Sequence, residues 1–229
     1  MNKNLNFALV FNSNAAGGRK LKLIDKVISI LEKEHNVELF KTQSEEHATE
    51  VFKKLSNKTF DRLIVAGGDG SVCFAINEMI KNQSLNDKLV GYIPAGTANI
   101  LQIETQIKKK AKEICQILVS DKHKKINLAR INDKYFFLMA GIGFDSEIVA
   151  SIDTRIKKYL GKIIFALKGF QHFLFLKKNK MQVEVENKKI MADWILCTNS
   201  KYYAGPHSIT NETNIFEKKI VAYIFRDLT

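Results

Sequence analysis

Residues 63–72 read Leu-Ile-Val-Ala-Gly-Gly-Asp-Gly-Ser-Val, an unbroken apolar run that ends in three glycines around one aspartate. A run without alternation is a strand buried on both faces, and in a chain with helices between its strands that means a parallel sheet covered on each side. The glycines permit a tight strand-to-helix turn and let backbone N–H groups come close to an anion such as phosphate. Asp69 falls at the strand's carboxyl end, where open α/β sheets carry their chemistry. The competing structural reading is a tight turn with Asp69 as a helix cap.

The same pattern recurs along the first half. An apolar run over 5–11 meets a small polar loop, Asn12-Ser-Asn-Ala-Ala-Gly-Gly18, followed by Leu23, Val27, Ile30 and Leu31 at helical spacing. A strand over 37–41 leads to Thr42 and to Ser44, the expected N-cap of a helix over 45–55. Strand 61–66, the glycine turn and helix 71–82 come next, then strand 88–93 ending in Pro94-Ala-Gly-Thr-Ala-Asn99 and further helix to about residue 119. In that stretch Gly96 allows close approach, Thr97 offers a hydroxyl and Asn99 an amide at a helix N-terminus, a ready anion site. Three loops that each follow a strand of one sheet converge at its carboxyl edge. Strands alternating with helices predict a doubly wound parallel sheet.

The pattern changes near Asp121. Strands are expected at 124–131, 134–140, 181–186, 189–197 and 219–225, with a basic, apolar helical stretch over 153–178 between them. The chain therefore divides into an α/β domain over 1–122 and a β-rich domain over 123–229, expected to be an antiparallel sheet or sandwich.

Composition narrows the partners. Net charge is +12, yet only five of the 36 basic residues are arginine. Specific nucleic-acid contacts favour arginine and none of the usual modules is present, so nucleic acid is not expected. An anionic membrane surface fits better, with the lysines of 155–178 on headgroups and Ile156, Leu160, Ile163, Leu167, Phe170 and Leu174 in the bilayer. The alternative is a helix packed on the sandwich with a solvated basic face. Cys73, Cys115 and Cys197 are odd in number and form no CxxC pair, which reads as reduced thiols without a zinc site. With no signal peptide and no uncharged run of 18 residues, the expected location is cytoplasmic, peripheral at the inner face of the membrane.

Taken in order, Phe11-Asn-Ser-Asn-Ala-Ala-Gly17, Val65-Ala-Gly-Gly-Asp-Gly-Ser71 with Asn77-Glu78, Ile93-Pro-Ala-Gly-Thr-Ala-Asn99 and Ala140-Gly-Ile-Gly-Phe-Asp145 resemble the diacylglycerol kinase catalytic-domain family. Tyr202-Tyr-Ala-Gly-Pro206 adds a weaker match. The family includes bacterial lipid kinases and is related to sphingosine kinases and, more distantly, to NAD kinases. The resemblance implies an ATP- and Mg²⁺-dependent lipid kinase acting on a hydroxyl of a diacylglycerol-like lipid. Carried over by position, it implies that Gly67, Gly68, Gly70 and Ser71 cradle phosphates. Asn12, Thr42, Thr97 and Asn99 would line the nucleotide site, and Asp69 would be the catalytic and Mg²⁺-binding carboxylate.

The sequence departs from the family pattern in three places. Asn99-Ile100 stands where the family often has Asn-Asp, and the stretch 209–220 holds Glu212 and Glu217 but no paired aspartates of a structural metal loop. The Asp-Gly-Glu tripeptide that carries the family's proposed catalytic glutamate is absent from these residues. These departures keep two alternatives in view: a shortened, inactive relative that binds nucleotide or lipid, and a soluble-substrate kinase of the NAD-kinase type. An incomplete sandwich leaves an exposed edge strand, which predicts a homodimer or poor solubility.

Overall fold

The structure, a computed structural model, describes residues 4–12, 19–84, 88–143 and 180–226. Its elements run β1 (Asn6–Asn12), α1 (Arg19–Leu31), β2 (Asn36–Thr42), α2 (Glu45–Leu55), β3 (Arg62–Gly67), α3 (Asp69–Lys81), β4 (Leu89–Pro94), α4 (Ile100–Glu104) and α5 (Ala111–Val119). Beyond these lie β5 (Ala129–Ile131), β6 (Lys134–Phe136), β7 (Met139–Gly143), β8 (Met181–Val185), β9 (Lys188–Ala192), β10 (Trp194–Thr198), β11 (Tyr202–Tyr203), β12 (His207–Ser208) and β13 (Val221–Phe225). The chain is thus α/β with a parallel sheet first and antiparallel strands after it. The expected stretch 153–178 lies outside the described residues.

The parallel sheet has the order β2-β1-β3-β4, with Leu9 of β1 opposite Leu39 on one side and Ile64 on the other. Alternate residues of β1 serve opposite faces, as the two-residue period of a strand requires. Phe7, Leu9 and Phe11 join Ile64, Ala66 and Ile93 against Ile24, Val27, Ile28 and Leu31 of α1 and Ile114, Cys115 and Leu118 of α5. The buried stripe of α1 is thus centred one position from the expected one, with Ile24 rather than Leu23 fully buried. Each Val, Leu, Ile or Phe among them, moved fully out of water, contributes about 1.5–3 kcal/mol. Gly91 of β4 gives α5 its seat, since a Cβ there would lie 2.3 Å from Leu118 Cδ2. Burial among these groups pushes the Cys115 thiol up to about 11.

The helix expected to run on to residue 119 is two helices. Asn99 and Gln106 adopt positive φ (51° and 56°), which starts α4 abruptly and ends it after one turn. Arg62, 6% exposed, then fixes the end of α5 by donating from its guanidinium to the carbonyls of Leu118 and Ser120 and to the Asp121 carboxylate.

The chain falls into two compact units. One comprises Met1–Lys125, Arg130–Tyr135 and Ala204–His207; the other comprises Ile126–Ala129, Phe136–Tyr203 and Ser208–Thr229. In the second unit, β10 pairs antiparallel with β13 and β7, and Trp194 stacks on Phe225 at 4.1 Å. The hairpin of β8 and β9 turns on Glu186 and Asn187, both at positive φ as a type I′ turn requires. The strand expected over 189–197 breaks at Asp193, whose N–H donates to Phe225 O. Glu212 and Glu217, candidates for a metal loop, instead pair with Lys219 and Asn214. Among the described residues no cluster of three metal-ligating side chains occurs.

Candidate functional site

The strand order β2-β1-β3-β4 places a topological switch point between β1 and β3, because the chain leaves them in opposite directions. In open α/β sheets ligands bind in the crevice outside the strand ends at this point. A cavity of about 310 Å³ occupies it, lined by Val10, Phe11 and Asn12 of β1, Thr42 of β2, Val65 and Ala66 of β3, Ser44 with Glu45, Ala48 and Phe52 of α2, and Gly70, Ser71 and Phe74 of α3. Every lining residue belongs to the first unit.

Of the residues singled out from the sequence, Asn12, Thr42, Gly70 and Ser71 line this cavity. Thr42 is buried, its hydroxyl donating to Phe11 O at 3.3 Å, which ties the ends of β1 and β2 together. Ser44 caps α2 as expected, accepting from the His47 N–H at 3.2 Å. Gly70 and Ser71 are both exposed in the first turn of α3. An added Cβ on Gly70 would meet no described atom within 4 Å.

Gly67 and Gly68 have a different reason to be glycine. A Cβ on Gly67 would lie 2.5 Å from Ser71 Oγ, inside the turn itself. Gly68 packs against Gly96 of the loop after β4, where a Cβ on Gly96 would come to 2.3 Å from Gly68 Cα. The Ala95 N–H donates to Gly67 O at 2.8 Å in the same seam. Two of the three loops are therefore joined backbone to backbone. Of the third, only Asn12 is described.

Asp69 completes that seam. Its two carboxylate oxygens accept from the backbone N–H groups of Ile100 and Leu101, at 2.9 and 3.0 Å. The aspartate is a helix cap, but of α4, 31 residues away, rather than of its own helix. Each oxygen retains a further lone pair, so the capped carboxylate can still meet a cation from outside.

Asn99 is directed inward. It is 1% exposed, and its Oδ1 accepts from the Gly96 N–H at 2.8 Å and from Tyr92 Oη at 2.9 Å, while its Nδ2 donates to Gly96 O. Burial, with the Asp69 charge second, raises the Tyr92 phenol and keeps it a donor. The amide expected to face a ligand thus holds the turn 96–99 in shape. Thr97 is half-buried, and neither it nor Asn99 lines the cavity.

Glu45, Ala48, Phe52 and Phe74 line the cavity without having been singled out as site residues. Phe52 and Phe74 meet edge to face, with ring centroids 6.1 Å apart and planes at 61°. A usable signal existed, since 45, 48 and 52 fall on one face of a helix that starts at the carboxyl end of β2. Asn77 of α3 holds another neighbour, its amide donating to Tyr135 O and accepting from the Tyr135 N–H, both at 2.8 Å.

Comparison with known proteins agrees with this architecture. The model of the diacylglycerol kinase catalytic domain matches residues 6–131. The diacylglycerol kinase of Staphylococcus haemolyticus is 23% identical over 210 residues, covering 90% of this chain and 61% of that protein. The diacylglycerol kinase of Bacillus subtilis is 27% identical over 158 residues, 67% of this chain and 52% of that protein. The chain thus spans about half to three fifths of these relatives. A diacylglycerol kinase crystal structure from Bacillus anthracis shares the fold, with a TM-score of 0.74 at 20% identity over 98% of this chain and 74% of that one.

Proposed function

The chain belongs to the diacylglycerol kinase catalytic-domain family, and we propose that it transfers the γ-phosphoryl group of ATP to a hydroxyl of a diacylglycerol-like membrane lipid. The observation that carries the reading is the cavity at the switch point, bounded by the exposed first turn of α3. Backbone N–H groups at a helix start favour phosphate by direction and by the helix dipole. Ser71 adds a hydroxyl donor at the same level, and Gly70 has no side chain to hold the phosphates off the backbone.

In the transfer, the bond between the γ-phosphorus and the bridging oxygen of ADP breaks as the lipid oxygen bonds to that phosphorus. The hydroxyl proton leaves to solvent or to a base. Such a reaction needs alignment and charge neutralisation more than covalent participation by the protein. The donor set fits Mg²⁺ of the kind held chiefly by phosphates with one carboxylate, and Asp69 would be that carboxylate in this chain. Mg²⁺ would supply charge neutralisation to the phosphates. Gly67, Gly68 and Gly96 act on the same event at one remove, by fixing the height of the turn.

No helix among the described residues is long and apolar enough to cross a membrane. The lysine-rich charge of the chain supports a peripheral position at the cytoplasmic face of an anionic membrane. The deciding experiment offers the purified chain labelled ATP and Mg²⁺ with vesicles containing diacylglycerol, with NAD, or with no acceptor. Label in the lipid is the expected result. Label in NADP, or nucleotide binding with no product in any arm, overturns it.

A further inference from the structure

We infer that Glu45 reads the sugar of the bound nucleotide, its carboxylate accepting from the vicinal 2′- and 3′-hydroxyls of ribose; this rests on the nucleotide reading of the cavity given above. The lining sorts by depth. Glu45, Ala48 and Phe52 fall on one face of α2 in order from its first turn, and Ser71 and Phe74 do the same on α3. Polar groups (Glu45, Ser71, Asn12 and Thr42) therefore stand at the mouth, at the level of the strand ends. Ala48, Phe52 and Phe74, with Val10 and Val65 of the sheet, form an apolar floor one to two turns deeper.

A nucleotide has three chemically distinct parts, and the cavity offers each a different surface. The flat base suits the aromatic floor. The phosphates suit the N–H groups of the glycine turn. Glu45 does not suit the phosphates, because a carboxylate repels them, and it stands at the mouth, a turn or more above the apolar floor that suits the base. What remains at its level is the ribose, whose two adjacent hydroxyls match two acceptor oxygens. Glu45 is exposed, and its carboxylate makes no hydrogen bond or ion pair among the described residues. It is therefore available to hydroxyl donors of a ligand. The volume, about 310 Å³, lies at the lower end of the range for small-molecule sites.

The test is calorimetric titration of the full chain with ATP, 2′-deoxy-ATP, 3′-deoxy-ATP and ITP in excess Mg²⁺, on the wild type and on Glu45→Gln and Glu45→Ala. The wild type is expected to bind each deoxy nucleotide about tenfold more weakly than ATP, the size of one hydrogen bond to a charged acceptor. Glu45→Ala should weaken ATP by a similar factor and bind all three sugars alike, at an unchanged melting temperature. Glu45→Gln should keep part of the discrimination. Equal discrimination in Glu45→Ala and wild type overturns the inference and leaves the kinase reading standing. So does a pattern in which ITP, lacking the exocyclic amine, is the weak ligand, for then the carboxylate reads the base. A wild type that binds none of these nucleotides overturns the kinase reading itself.

Discussion

The two joined loops of this chain contain glycines of two kinds, and they can be separated by one methyl group. A Cβ on Gly70 would meet no described atom within 4 Å, while Gly96 has Gly68 Cα where its own Cβ would be. Gly70→Ala removes a flexible residue from the first turn of a helix and should leave stability unchanged or raise it by up to about 1 kcal/mol. Its methyl group would stand where phosphate is proposed to lie, so ATP affinity should fall at least tenfold. Gly96→Ala should instead push the two loops apart and lower the melting temperature and ATP affinity together. Thermal unfolding and ATP titration on both variants check this. A Gly70→Ala protein with wild-type affinity would remove the phosphates from α3. Gly70 is a cleaner probe than Asp69, whose loss uncaps α4 as well as removing a charge.

At the scale of elements, the position of α5 depends on Arg62 more than on its own sequence. The guanidinium is buried, and two of its three recorded partners are carbonyls at the end of α5, where the helix dipole also favours a cation. The third partner, Asp121, is fully exposed, and an ion pair in that setting contributes little. Arg62→Met should therefore destabilise the first unit by about 2–4 kcal/mol, as expected when a buried charged donor and its acceptors are parted. Asp121→Ala should leave the urea midpoint where it was. Equal losses from the two substitutions would show that the ion pair, not the carbonyl clamp, holds the helix.

The same elements show what a sequence can reveal. Every strand and helix from 6 to 81 was legible, because each is long, periodic and bounded by glycine or a cap such as Ser44. The break at Thr105–Lys110 was not, because it depends on Gln106 entering the left-handed region, for which no glycine gives warning. The split at Asp193 is set by the carbonyl of Phe225 on a distant strand. In the site, the glycine turn and the loop opening at Asn12 were legible from their places after strands, and Thr42 from the family resemblance. The inward turn of Asn99 and the capping of α4 by Asp69 were not, since both depend on partners fixed by the tertiary fold. Glu45 carries no signal of its own in the sequence, since an acid in the first turn of a helix is ordinary and only the walls around it set it apart.

The whole molecule carries a field that no single residue accounts for. A net charge of +12, almost all of it lysine, gives mobile, strongly hydrated point charges rather than planar guanidinium forks. Such a surface attracts acidic headgroups without selecting one geometry, at about 1 kcal/mol per lysine near the membrane. For an enzyme proposed to act on a hydroxyl embedded in lipid, that attraction concentrates it on its acceptor without fixing its orientation. Sedimentation with vesicles should show binding to acidic phospholipid at low ionic strength and little to purely zwitterionic vesicles. Raising salt to about 0.5 M shortens the screening length to well under the ~10 Å of 0.1 M salt, and should release the protein. Product formation from diacylglycerol in acidic vesicles should fall with it, whereas ATP affinity, set inside the cavity between α2 and α3, should change far less. Salt-insensitive binding would assign the membrane contact to buried apolar area instead of lysines.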